Sequence, residues 1–385
     1  MGDTASALRP LGPGATVGVL GGGQLARMMA LEARRLGLRV IVLDPDPRCG
    51  AAQVADGLVL GHFSDAEAAC RLAAQVDVVT LDTEHVPADV LRAVEAVAPC
   101  APGSEALALI QDRLAQRRLL HALRLPQTRW AEVHDERSLG MGLSEVGLPA
   151  VLKTRRGGYD GKGQARIQRE DQLLAAWESL GRAPCIIEAY VPFDREVSAV
   201  MARAADGSTR HWPLAENDHR RHVLHTTLTP ARAEPSVGPR ARALAEAVAA
   251  RLDHVGVLCL ELFLLSDGQL LVNEIAPRVH NSGHTSLGAS ITSQFEQHLR
   301  AVCGLPLGDT TQARPAVMLN LLGDLWRDGP PPLERVFAVP HAKLHLYGKD
   351  EPRPGRKVGH VLLLGDDPAR LLREAEALHR ALGGK

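Results

Sequence analysis

Apolar runs of strand length, set between polar and glycine-rich breaks, recur along the chain. Residues 16–20 and 40–43 read as strands on either side of a helical stretch reaching Leu36, and a third strand at 76–80 precedes a helix from Ala88. That order predicts an open parallel α/β domain over 14–110. A helix over 112–123 follows and is stopped by Leu125-Pro126. Strands are expected at 149–153, 185–188 and 196–203, helices at 239–251 and 290–302, and strands at 315–322, 341–347 and 358–364. The segment 213–219 is polar and compact.

The strongest local signal lies between Val255 and His284. An apolar run over 257–265 turns at Ser266-Asp267-Gly268-Gln269 and returns as an apolar run over 270–275. Asp-Gly between two such runs predicts a hairpin. With Asp267 and Gly268 as a two-residue loop, the register sets Glu261 directly opposite Glu274. Opposed side chains sit about 5 Å apart, and two carboxylates there repel by roughly 3 kcal/mol at an effective dielectric near ~20. Either one carboxyl holds a proton or a cation lies between them. An all-oxygen setting suits magnesium, which one or two carboxylates hold together with substrate phosphates. A slipped register would instead leave one Glu in solvent while turning the apolar face outward. Past Glu274, the run Arg278-Val279-His280-Asn281-Ser282-Gly283-His284 offers donors suited to an anionic or oxygen-rich substrate.

Charge narrows the partners. A net charge of −1 and a pI near 7.0 imply no general affinity for nucleic acid or anionic membranes. Cysteines 49, 70, 100, 185, 259 and 303 lack metal-ligand or redox spacing and read as small hydrophobes in a reducing compartment. No apolar run approaches the ~18 residues of a membrane span and no signal segment opens the chain, so a cytoplasmic protein is expected. Met1-Gly2-Asp3-Thr4-Ala5-Ser6 fits a myristoylation pattern but has no polybasic segment beside it. Of the 44 basic residues only Lys153, Lys162, Lys343, Lys349, Lys357 and the terminal Lys385 are lysines. The internal ones mark candidate places for a compact, flexible ammonium.

Two glycine-rich stretches carry candidate chemistry. Gly21-Gly22-Gly23-Gln24-Leu25-Ala26 follows the first strand, and Asp44 ends the second. Such a turn fits a dinucleotide fold, a helix packed close on its strand, or a helix N-terminus offered to any anion. The stretch 153–164 sets Gly157, Gly158, Gly161 and Gly163 among Lys153, Arg155, Arg156 and Lys162. Its bare N–H groups suit phosphate oxygens. No Gly-Lys-Ser/Thr and no helix follow, so a strand–loop–strand flap is expected rather than a Walker loop; the alternative is an ordinary glycine-rich hairpin. Glu188 ends one strand and Glu196 begins the next. Arg353-Pro354-Gly355-Arg356-Lys357 suits a solvated hairpin end or a phosphate clamp.

The flap, the strand-end carboxylates and Asn273-Glu274 together resemble the ATP-grasp superfamily. Within it, Gly22-Gly23-Gln24-Leu25, Gly157-Gly158-Tyr159-Asp160-Gly161-Lys162-Gly163, the run from Asn273 to His284 and that from Arg353 to His360 are similar to the 5-(carboxyamino)imidazole ribonucleotide synthases, over nearly the whole chain. The resemblance implies an α/β fold of three-part ATP-grasp architecture. An N-terminal parallel α/β pre-grasp domain covers 14–110. A two-lobed α+β core follows, its small lobe with the flap over 111–188 and its large lobe with the hairpin over 189–310. A small β-rich C-terminal domain covers 311–385.

The same resemblance implies ATP, bicarbonate and 5-aminoimidazole ribonucleotide as substrates, carboxyphosphate as intermediate, magnesium (manganese being the alternative ion) and a homodimer. By motif position, Arg113, Lys153, Gly157, Gly158, Tyr159, Asp160, Gly161, Lys162, Gly163, Glu188, Ala189, Tyr190, Val191, Glu196, His219, Asn273 and Glu274 would line the ATP site, with Glu261 and Glu274 on the metal. Gln24, Leu25, Tyr159, Lys162, Arg278, His280, Asn281, Ser282, Lys349, Arg356 and Lys357 would face the ribonucleotide, the last three at its phosphate. Tyr159, Lys162, Arg278 and His280 would stand nearest the chemistry.

Three positions depart from the family pattern. Lys162 stands where Arg is typical, His222 where a Gly usually follows the Glu216-Asn217-Asp218-His219 segment, and Glu84-His85 where an Asn usually follows the acid; no role is expected of the last pair. Within the superfamily, a formate-dependent ribonucleotide transformylase or a biotin carboxylase is the rival reading. A nicotinamide-dependent oxidoreductase would rest on the glycine turn and Asp44, and would leave the Glu pair, the flap and the basic tail unexplained.

Overall fold

The computed structural model describes residues 10–158 and 161–384. Tyr159 and Asp160 of the expected flap, and the myristoylation-like start, lie outside the described residues.

The first sheet is parallel. β1 (Thr16–Leu20), β2 (Arg39–Asp44), β3 (Gly57–Leu60) and β4 (Val78–Leu81) lie in the order β3-β2-β1-β4. A parallel strand needs cover on both faces, and every residue of β1 is buried. One face packs on a core holding Leu43, Leu72 and Leu91. The other shares a core with distant parts of the chain: Val17, Val19 and Met29 join Val200, Val257, Phe295, Leu299 and Tyr347. The buried His298 pins the same junction, its Nε2 lying 2.7 Å from Thr80 Oγ1 of β4 while its Nδ1 accepts from the Val257 N–H at 3.0 Å. Gly256, at φ +114°, lets the backbone pass this ring, since a Cβ there would lie 2.8 Å from it.

The second sheet is antiparallel. β5 (Trp130–Val133), β6 (Ala150–Thr154), β7 (Gln164–Ile167) and β8 (Cys185–Ala189) run in the order β5-β8-β6-β7. The glycine-rich stretch joins β6 to β7, with Lys153 opposite Gln164, so it hangs from two paired strands as a flap does.

The third sheet carries the rest: β9 (Arg195–Arg203), β10 (Thr209–His211), β11 (Ala215–Arg220), β12 (Val223–Thr229), β13 (Gly256–Leu264), β14 (Leu270–Ala276), β15 (Ala316–Leu322), β16 (Ala342–Leu346) and β17 (Lys357–Leu364). Its order is β14-β13-β9-β11-β12-β15-β17-β16, with β10 beside β9. Strands from the last quarter of the chain thus continue the sheet of the hairpin, through β12 and β15. A 14-residue helix, Pro368–Ala381, covers them, capped by Asp367 and opened by proline. The helix Val237–Arg251 covers the hairpin end, where Leu258, Leu260 and Leu262 meet Ala241, Ala245 and Val248.

Three local expectations change. The polar segment 213–219, for which no strand was named, overlaps β11, a strand between β9 and β12. The helix expected over 290–302 begins at Gln294, because Ser293 caps it and accepts from the Glu296 N–H, while Ile291 and Thr292 bond to Thr311 and Asp309. The hairpin loop has three residues, not two: Leu265 N–H bonds to the Gln269 carbonyl, Gly268 N–H bonds back to Leu265, and Gly268 sits at φ +81°.

Candidate active site

The longer loop shifts the hairpin register by one residue, so that Leu262 pairs with Val272. Continued regularly, it would set Glu261 opposite Asn273. A bulge between Glu261 and Leu262 shifts it back, and Glu261 pairs with Glu274. The bulge has a second effect. Val272 and Glu274 are two apart and would share a face in a regular strand, yet Val272 is 1% exposed in the core while Glu274 stands 3.5 Å from Arg113 Nη1 in the site. Burial, and then the facing Glu274, push the Glu261 carboxyl up to about 7. Glu274 in turn raises Arg113, and His280 Nε2 lies 3.2 Å from Glu261 Oε1.

Next to the pair is a set of paired cations and acids. Lys153 Nζ is 2.7 Å from Glu188 Oε2, and the other carboxylate oxygen takes Arg117 Nε at 2.6 Å. Burial alone would raise Glu188, but these two cations hold it at about 2. Glu196 pairs with His219; burial pulls that imidazole down, but Glu196, with Glu261 behind it, leaves its pKa raised. Ala189, Tyr190 and Val191 follow Glu188 half-buried, with Arg166 stacked 4.2 Å over the Tyr190 ring. Arg113 reaches the Gly158 carbonyl at 3.3 Å, and a cavity of about 280 Å³ opens between Glu84, Arg113, Gly157, Gly158 and Glu274. Gly161 and Gly163 sit at φ +79° and +70°, where the flap turns back beside Thr154 and His222, and Lys162 between them is exposed. His222 itself has φ +66°, the left-handed region that favours the glycine usual at this position.

On the opposite side, three distant segments converge. Lys349 Nζ donates to Gln24 Oε1 at 2.7 Å and to the Lys357 carbonyl at 2.9 Å. Burial, then Arg356 beside it, lower Lys349 to about 8. Arg278 pairs with Glu84; burial works against that carboxyl, but the guanidinium holds it at about 2. Ser282 is 1% exposed and accepts from Ser198 Oγ at 3.1 Å, while Asn281 exchanges amide bonds with Asn320 at 3.2 and 3.0 Å. Leu25 is 5% exposed and packs in the core beneath Gln24. Arg356 donates to the Glu351 carbonyl at 3.0 Å, out in the basic turn.

The first glycine turn has a different occupant from a dinucleotide. Asp82 accepts from Gly23 N–H at 2.7 Å and Ala26 N–H at 2.9 Å, and Asp44 accepts from Gly22 N–H at 2.9 Å. The helix N-terminus binds anions, but they are the chain's own carboxylates. A Cβ on Gly23 would meet Asp82 at 2.4 Å, so glycine is required for that approach.

The chain matches the ATP-grasp domain family over 118–295, the ribonucleotide synthetase preATP-grasp domain over 14–111 and the phosphoribosylaminoimidazole carboxylase C-terminal domain over 316–374. It is 44% identical, over 91% of this chain and 96% of the relative, to the N5-carboxyaminoimidazole ribonucleotide synthase of Brucella melitensis. The chain belongs to the N5-carboxyaminoimidazole ribonucleotide synthase family. The crystal structure of the Thermus thermophilus synthetase superposes with a TM-score of 0.88 at 43% identity, covering 95% of this chain and 98% of that one. That of the Aspergillus clavatus synthase, in complex with ADP and 5-aminoimidazole ribonucleotide, also gives 0.88, at 31% identity and 96% and 98% coverage.

Against this family fold, several residues stand out that the sequence did not single out. Arg117 is 3% exposed and joins Glu188 to the hairpin, donating to the Val272 carbonyl at 2.9 Å and to that of Asn273, in the bulge, at 3.0 Å. Its only sequence signal is a place one turn after Arg113 among buried leucines of the helix Arg113–Ala122. Glu84, of which no role was expected, lines the cavity and pairs with Arg278, 194 residues away. A further cluster, Asp218, His225 and Glu376, has metal-type side chains, yet Arg220 already bridges its two carboxylates at 3.2 and 2.5 Å.

Proposed function

We propose that the chain is the ligase that carboxylates the exocyclic amine of 5-aminoimidazole ribonucleotide with ATP and bicarbonate, acting in the cytoplasm as a homodimer. The observation that carries this reading is the opposition of Glu261 on β13 to Glu274 on β14, the strand that leads directly into Arg278, His280 and Ser282. One carboxylate pair and one run of donors thus serve two substrates from a single turn of chain.

In this reading Glu261 and Glu274 would hold magnesium or manganese; two crowded carboxylates, one with a raised pKa, are a donor set that a hard divalent ion fits. When bound, the ion neutralises charge on the ATP phosphates. A bicarbonate oxygen attacks the γ-phosphorus, ADP leaves, and carboxyphosphate forms. The ribonucleotide amine then takes the carboxyl group, either from carboxyphosphate itself or as the carbon dioxide it releases, and loses a proton as phosphate departs. Such transfers need positioning and charge neutralisation more than covalent help. Lys153, held by Glu188, and Arg113, held by Glu274, would meet the phosphates together with the flap glycines Gly157, Gly158, Gly161 and Gly163. Glu196 with His219 suits the ribose hydroxyls, Lys349, Arg356 and Lys357 the acceptor's phosphate, and Gln24 its closure from the first domain.

The test is ADP release with ATP and magnesium, adding bicarbonate and the ribonucleotide separately and together. Turnover that needs formate, or that ignores the ribonucleotide, rejects the reading.

A further inference from the structure

A row of polar side chains crosses the third sheet on the face that bears Glu261. Glu261 pairs with Ser198 of β9, and Asn217 of β11 pairs with both Glu196 of β9 and Thr227 of β12. Cross-strand partners share a face, so the row follows from register alone. Ser198 and Thr227 are fully buried, and buried hydroxyls and amides need partners.

They find them in one direction. Thr227 Oγ1 donates to Asn217 Oδ1 at 2.9 Å, Asn217 Nδ2 donates to Ser198 Oγ at 2.8 Å, and Ser198 Oγ donates to Ser282 Oγ at 3.1 Å. Ser282 Oγ lies 3.2 Å from His280 Nδ1, which also accepts from the Ser282 N–H at 3.3 Å. A backbone N–H can only donate, so Nδ1 is the bare nitrogen of the ring. The proton of a neutral His280 then sits on Nε2, which faces Glu261 Oε1 at 3.2 Å.

We propose that Ser198 is a positioning residue for the metal carboxylate Glu261, acting through Ser282 and the fixed tautomer of His280. The chain of donors from Thr227 delivers one N–H to one oxygen of Glu261 and leaves the other oxygen for the ion. Remote partners of this kind orient a metal ligand without touching the metal. Nothing else on β9 could do this, because Ser198 alone is directly opposite Glu261 and beneath Ser282. The inference rests on the assignment of Glu261 to the metal, and its test separates the two.

The test uses full-length protein with nitrogen-labelled histidine rings, first without metal. The His280 Nδ1 resonance, identified by its loss in His280→Ala, reports the hydrogen bond it accepts. In Ser198→Ala it moves toward the position of an unbonded ring nitrogen, and the magnesium needed for half-maximal turnover rises by about tenfold. Ser198→Thr keeps the hydroxyl and restores both readouts. Thr227→Val, one link further out, gives a smaller change in the same direction and decides the matter if Ser198→Ala does not fold. An unmoved Nδ1 resonance, or a moved one with an unchanged magnesium requirement, overturns the proposal. A Glu261→Gln protein with a normal magnesium requirement would instead remove the metal assignment while leaving the resonance test standing.

Discussion

Glu261 and Glu274 are paired across β13 and β14 only because a three-residue loop and a one-residue bulge displace the register in opposite senses. Two carboxylates are thereby forced onto one face of a hairpin whose other face is core. Removing one charge should therefore ease the fold and abolish the chemistry. Glu274→Gln is expected to keep or slightly raise thermal stability in metal-free buffer while lowering kcat by about a hundredfold or more, because several kcal/mol of charge stabilisation is lost. Thermal melts and steady-state turnover check both halves.

Arg117 ties this hairpin to Glu188 of β8. Arg117→Met leaves Glu188 with Lys153 as its one ion-pair partner among the described residues and strips the Val272 and Asn273 carbonyls of their guanidinium donor. Breaking a buried pair from one side typically removes about 3–5 kcal/mol. Denaturant unfolding should show a loss in that range, and KM for ATP should rise because Lys153 is then held by a less constrained carboxylate.

The protein should be acid-labile well above the carboxylate range. Burial holds His254 and His345 at about 4 and His280 and His298 at about 3. A histidine whose pKa is depressed by folding contributes stability above its unfolded value near ~6.5, and that stability is lost as pH falls toward the folded value. Each adds a slope of about 1.4 kcal/mol per pH unit, so the four together cost roughly 5 kcal/mol per unit below pH ~6. Glu261, raised to about 7, opposes them with a single proton. Unfolding free energies measured from pH ~7 down to ~5 should fall steeply; a flat profile contradicts the buried, neutral assignment.

Lys349 gives a signal at the other end of the scale. Its ammonium is lowered to about 8 by burial and by Arg356. In the proposed role it attracts the acceptor's phosphate below that pH, where it is charged, and loses the attraction above it. KM for the ribonucleotide is expected to rise above pH 8 while KM for ATP stays level, and Lys349→Gln should flatten the rise.

Much of the fold was legible because buried strands announce themselves by apolar runs. β1 matched its expected bounds to the residue, and β13, β14 and β17 fell within one or two. β11 was hidden because a strand on the active-site face carries Glu216, Asn217, Asp218 and His219 where a core strand would carry valines. The Glu261–Glu274 pairing was reached from a loop one residue too short, and the Asn273 bulge, which no local pattern reveals, restored it. The carboxylates, Lys153 on the strand before the flap and the donor run after Glu274 could be singled out from residue type and spacing. Arg117, Ser198 and Asn320 could not, since each owes its role to partners on other elements.

The most direct test of the reaction follows the oxygen atoms. Supply ATP, magnesium, 5-aminoimidazole ribonucleotide and heavy-oxygen-labelled bicarbonate, and analyse the released phosphate by mass. If bicarbonate attacks the γ-phosphorus, the phosphate carries one oxygen from bicarbonate and the ribonucleotide gains its carboxyl group. Phosphate free of that label, with ADP still formed, would contradict the account.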